Sequence, residues 1–116
     1  MKFVIASVAK QSRKEVFMEN INFFVYILFN KRNGALYVGV TDDIKRRIDE
    51  HKAGKSKFTA KYKIDKLGYI EKFNYINEAI EREKQLKGGS RKNKLKLIED
   101  MNPNWQDLSE FLDDIV

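Results

Sequence analysis

A chain of 116 residues, 34% charged and 42% hydrophobic, has room for one domain with a modest core, and its formal charge of +6 points to a polyanionic partner. With no cysteine and a single histidine, disulfides, thiolate metal sites and multi-histidine zinc sites are excluded. Any metal must be held mainly by oxygen, which favours Mg²⁺ or Mn²⁺, and the cysteine count suits a reducing, cytoplasmic setting.

Residues 1–21 are expected to form an extension, and residues 22–116 a single domain. Within the extension, Phe3–Ala9 is apolar but too short to span a membrane, and no signal-peptide cleavage region follows it. The domain opens on two runs rich in β-branched and aromatic residues, Phe23–Phe29 and Ala35–Val40, separated by Asn33-Gly34. That pattern predicts a hairpin. A two-residue turn at Asn33-Gly34 would pair Leu28 with Gly39 and Asn30 with Tyr37. Val25, Ile27, Phe29, Leu36, Val38 and Val40 then share a core face, and Tyr26, Leu28, Tyr37 and Gly39 share the other. A strand glycine beside two tyrosines marks a place of close approach.

Thr41-Asp42-Asp43 reads as a helix start and Gly54 as its stop, so a helix is expected from about Asp43 to Ala53. Its stripe is Ile44, Arg47, Ile48 and His51, which leaves Arg47 and His51 at the rim of the buried face. Lys55–Lys63 is basic, with Phe58 and Tyr62 four apart, and suits one short helix. Leu67–Phe73 reads as a third strand. Asn77 is expected to cap a helix over about Glu78–Lys87, whose apolar stripe of Ile76, Ala79, Ile80 and Leu86 also contains Glu83. A carboxylate on a buried stripe needs a partner or a cation. Gly88-Gly89-Ser90 ends that helix and caps the next, Arg91–Glu99, with Leu95 and Ile98 inward. After Asn102-Pro103-Asn104, the residues Trp105, Leu108, Phe111, Leu112 and Ile115 predict one amphipathic helix lying on the core. The architecture is therefore α+β, a small three-stranded antiparallel sheet flanked by helices.

Charge is segregated along the chain. Eight Lys/Arg face three acids over Asp43–Lys63, seven face only Glu83 over Arg82–Lys96, and from Glu99 onward there are six acids and no base. Two basic blocks opposite an acidic end suit a nucleic-acid footprint. Its candidate contacts are Gly39, Lys45, Arg46, Lys55, Lys57, Lys61, Arg91 and Lys92.

Val25-Tyr26-Ile27, Tyr37-Val38-Gly39, the Arg47 and His51 that follow, and Glu83 within Glu78–Lys84 together resemble the GIY-YIG nuclease family over about Phe23 to Leu108. Gly88-Gly89-Ser90-Arg91-Lys92 and Asn102-Pro103-Asn104-Trp105 are similar to its small single-domain branch, related to the N-terminal nuclease domain of the ABC excinuclease. The first tripeptide lacks the leading Gly and keeps the Tyr. The resemblance implies divalent-metal-dependent hydrolysis of phosphodiester bonds in DNA, including the structured DNA of repair, with RNA an open alternative. It implies catalytic roles for Tyr26, Tyr37, Arg47, His51 and Glu83. Glu83 would bind Mg²⁺ or Mn²⁺, Arg47 would hold the phosphate, and either tyrosine would position or deprotonate the attacking water. No DNA-targeting domain is evident, so a monomer that relies on a partner protein for targeting is expected. The competing expectation is a nucleic-acid-binding module with the same fold and no turnover of its own.

Overall fold

In the computed structural model of the protein, which describes residues 22–115, the three expected strands form one antiparallel sheet. The strands are β1 (Phe23–Phe29), β2 (Leu36–Thr41) and β3 (Lys66–Phe73), in the order β2-β1-β3. The proposed extension, residues 1–21, lies outside the described residues. Every residue of β1 is buried, as its composition requires of a central strand covered on both faces. One face carries Val25, Ile27, Phe29, Val38 and Val40, and the opposite face carries Tyr26, Leu28 and the partly exposed Tyr37.

The register differs from the two-residue hairpin. Tyr26 pairs with Gly39 and Leu28 with Tyr37, so the loop is longer. Asn30 is the reason: its Oδ1 accepts from the Ala35 amide at 2.9 Å, while Gly34 N–H closes a turn onto the Lys31 carbonyl at 2.8 Å. Asn33 takes the left-handed conformation at φ 57°, and the turn runs over Lys31–Gly34. The slip is two residues, an even number, so no side chain changes face.

Helices α1 (Ile44–Lys52) and α2 (Lys57–Tyr62) connect β2 to β3. Asp43 caps α1 by accepting from Arg46 N–H, and the chain leaves through Gly54 at φ 76°. Ile44 and Ile48 pack with Tyr26 and Leu28 on one face of the sheet. After β3 come α3 (Ile76–Gly88) and α4 (Arg91–Met101), which supply Ala79, Leu86 and Ile98 to the opposite face. Asn77 is no cap: α3 begins at Ile76, with Tyr75 in the capping position and no side-chain bond. Ser90 does cap α4, accepting from Asn93 N–H at 3.1 Å. No helix among the described residues is long and apolar enough to cross a membrane.

The single C-terminal helix does not form. Trp105 stands alone at φ 53° and joins the cluster of Phe29, while Leu108 and Leu112 join the cluster of Tyr26 on the other face. A 3₁₀ turn (Leu108–Phe111) runs into the short α5 (Leu112–Ile115). The buried Asn102 holds this route open, its carboxamide bonding both the Gln106 amide and the Gln106 carbonyl. Asp107 then accepts from Leu67 N–H on β3 at 3.0 Å. Local side-chain bonds thus outcompete helix continuation, and the apolar residues serve both faces of the sheet.

Candidate active site

Tyr26 sits at the middle of β1 with no exposed surface. Its ring lies across the paired residue, Gly39. A Cβ at that position would approach Cζ and Oη of Tyr26 to well under 3.0 Å. The close approach expected at Gly39 is therefore made from inside, by Tyr26, and Gly39 itself is buried.

The Tyr26 hydroxyl meets His51 Nε2 at 3.2 Å, and His51 Nδ1 meets Thr59 Oγ1 at 2.9 Å. Both His51 and Thr59 are buried. Proton counting orients this chain. Thr59 has one hydroxyl proton and donates it to the Ser56 carbonyl at 3.3 Å. Its oxygen therefore accepts from His51, the imidazole proton sits on Nδ1, and Nε2 presents its lone pair to the Tyr26 O–H. Burial and the nearby Arg47 charge push the His51 pKa down to about 4, so the imidazole is neutral at physiological pH, as that assignment requires. Burial, with Tyr37 adding, raises the Tyr26 phenol well above its ordinary value, against an opposing pull from Arg47. Tyr26 is thus a hydroxyl throughout the working pH range.

Arg47, one turn before His51, is half-buried. Its Nη1 donates to Glu50 Oε1 at 2.8 Å. Burial disfavours the guanidinium, but the hydrogen bonds to Glu50 and Tyr26 outweigh it and leave the pKa above the usual arginine value. The Tyr37 ring stands 5.3 Å from His51 and 6.4 Å from Tyr26, centroid to centroid. Four of the five expected catalytic residues, Tyr26, Tyr37, Arg47 and His51, therefore gather on one face of the sheet.

Glu83 comes from α3. It is buried on the inner stripe of α3, and its Oε2 pairs with Lys87 at 2.8 Å. Its helix packs the opposite face of the sheet, and Glu83 takes no part in the Tyr26–His51–Thr59 chain. Among the described residues no group of three or more His, Asp or Glu side chains is arranged to hold a metal ion. Glu83 alone offers one buried, hard oxygen donor whose partner is a half-exposed lysine. That donor fits a cation whose other ligands are water and phosphate.

The basic residues divide into two groups. Lys45 pairs with Asp113, and Arg46 lies 3.8 Å from Asp42 and 3.9 Å from Glu50. Arg91 Nη2 donates to the Asn33 and Gly34 carbonyls at 2.7 and 2.6 Å, clasping the hairpin loop. Lys55, Lys57, Lys61 and Lys92 are exposed, and among the described residues none of them is in an ion pair. Sequence reasoning missed Thr59 and Glu50, which orient His51 and Arg47. A threonine eight residues past the histidine, inside a lysine-rich stretch, carries no periodic signal that would single it out.

Residues 22–96 match the family model described as the GIY-YIG catalytic domain. The chain is 39% identical over 98 residues to a UPF0213 protein of Bacillus licheniformis, covering 81% of this chain and 100% of that protein. It is 42% identical over 78 residues to a UPF0213 protein of Staphylococcus haemolyticus, covering 66% and 94% respectively. A solution NMR structure of a UPF0213 protein from Bacillus halodurans is 32% identical, with a TM-score of 0.48, over 75% of this chain and 93% of that one.

Proposed function

The chain belongs to the GIY-YIG family, and on that premise we propose that it is an endonuclease hydrolysing phosphodiester bonds in DNA with the help of Mg²⁺ or Mn²⁺. The observation that carries this reading is the oriented chain from Tyr26 through His51 to Thr59, with the Arg47 guanidinium fixed beside it. A guanidinium has donors beyond those given to Glu50 and Tyr26, and its fork matches two phosphate oxygens. Permanently charged and anchored, it holds the scissile phosphate and stabilises charge developing there.

Of the two motif tyrosines, Tyr37 is the one with exposed surface, so it positions and deprotonates the attacking water. Tyr26, protonated and buried, acts from behind as a hydroxyl of fixed orientation. His51 accepts from Tyr26 and aims it. With a pKa near 4, His51 is too weak a base to store a proton at neutral pH. Glu83 would hold the cation, which when bound supplies Lewis-acid stabilisation of the leaving oxygen.

One observation favours a second reading. Glu83 already pairs with Lys87 and sits on a helix of the opposite face, which suits a binding module without turnover. The experiment is cleavage of a labelled panel of duplex, nicked, flapped and four-way-junction DNA in Mg²⁺ or Mn²⁺, with EDTA and Glu83→Gln as controls. Metal-dependent cutting lost in Glu83→Gln with binding retained is expected. Salt-sensitive binding with no cutting by the intact chain would give the second reading the field.

A further inference from the structure

Beyond the catalytic cluster, the rings continue. Phe58 of α2 stands 6.3 Å from Tyr37, and Tyr62, one turn on, stands 5.2 Å from Phe58. Their exposures are 53% and 45%. Scattered exposed apolar residues are ordinary. Two exposed aromatic rings in contact with each other, one of them also against Tyr37, form a surface that water covers poorly.

The shelf is rigid. Thr59, between Phe58 and Tyr62 in sequence, is buried and bonded to His51, Asn30 Nδ2 donates to the Tyr62 carbonyl at 3.1 Å, and Lys63 at φ 55° ends the helix. It is also positively charged. Gly54 through Ile64 contains four lysines and no acid. Lys61 Nζ lies 5.4 Å from the centre of the Tyr62 ring.

We propose that Phe58 and Tyr62 stack an unpaired nucleobase next to the scissile phosphate, with Lys55, Lys57 and Lys61 following the sugar-phosphate backbone. This rests on the nuclease reading and narrows it to substrates with a single-stranded segment at the cut. The inside of a duplex hides its base faces, so a protein ring finds a free face only on an unpaired base. Rings interleaved with lysines are the means by which single strands are held without sequence preference.

The test uses the full chain carrying Glu83→Gln, in EDTA, with fluorescence anisotropy of labelled 12-nucleotide oligo(dT), oligo(rU) and a blunt duplex. Replacing Phe58 by Ala is expected to weaken single-strand binding by roughly five-fold to a hundred-fold. Duplex affinity and the salt slope should stay as in the parent, because the phosphate contacts remain. Phe58→Trp should restore binding, and Tyr62→Ala should weaken it independently. Loss on DNA alone, or on DNA and RNA alike, supports the shelf and identifies the strand it takes. Unchanged single-strand affinity in both alanine variants, or an equal loss on duplex, would overturn it. Cleavage by the intact chain separates the two claims. Cutting without any Phe58 effect removes the shelf alone, whereas a Phe58 effect without cutting leaves the shelf and removes the nuclease.

Discussion

Gly39→Ala tests the core of the site with one methyl group. The new Cβ would stand closer than 3.0 Å to Cζ and Oη of Tyr26 and 2.9 Å from Cε1. Ordinary carbon contacts begin at about 3.5 Å, so the ring or the strand must move by roughly 1 Å. Tyr26 has no exposed surface toward which to yield. Overpacking of this kind costs about 1–3 kcal/mol. A 1 Å shift also opens the 3.2 Å bond to His51, leaving buried polar groups unpaired at about 1–3 kcal/mol. Together these give about 2–6 kcal/mol, a large part of a small domain's stability. Urea unfolding followed by far-UV circular dichroism measures it. A Tyr26→Leu background, which removes the ring, should accept Gly39→Ala with far less loss, and the difference is the coupling between the two positions. An unchanged urea midpoint for Gly39→Ala would refute the reasoning, since the methyl would then fit where the structure leaves no room.

Two further outcomes are expected. Arg47→Ala should lower single-turnover cleavage by about two decades or more, and Arg47→Lys should fail to restore it because a point charge does not replace the fork; near-normal rates would place the phosphate on another residue. His51 titrates near 6.5 when unfolded and at about 4 when folded, so the unfolded chain takes up its proton first on acidification. Its contribution is complete above pH 6.5, falls as the pH drops toward 4, and amounts to at most about 3 kcal/mol. Urea midpoints at pH 7.5 and 5 should therefore diverge in the parent and draw together in His51→Gln; parallel midpoints in the two proteins would contradict a buried neutral imidazole.

The two sheet faces were legible because strand alternation survives an even slip in register. The actual loop was not, because the Asn30 side chain substitutes for backbone bonds that a strand-and-turn pattern takes for granted. Ile44 and Ile48 could be read from helical spacing, and so could the burial of Glu83, whereas His51, expected at the rim, is buried. Which face of the sheet receives the helix of Glu83 depends on how the chain returns after β3, and periodicity within one helix does not encode that. The C-terminal stripe failed for a related reason. Trp105 and Leu112 fit one helical face in sequence, yet Asn102 and Asp107 send them to opposite sides of the sheet. Thr59 escaped notice because its role lies in a single hydroxyl proton, and no pattern of polarity records where that proton goes.

Because Asp107 occupies the Leu67 amide at 3.0 Å, one donor on edge strand β3 is denied to any intruding strand. A short open sheet is exposed to adding strands from other copies, and here a carboxylate of the same chain stands in the way. Burial alone would raise the Asp107 pKa, but bonds from Lys52, Ser109 and the Leu67 amide hold it below its ordinary value. This single block on β3 is therefore acid-sensitive: it holds at neutral pH and weakens when the chain is acidified enough to protonate that carboxylate.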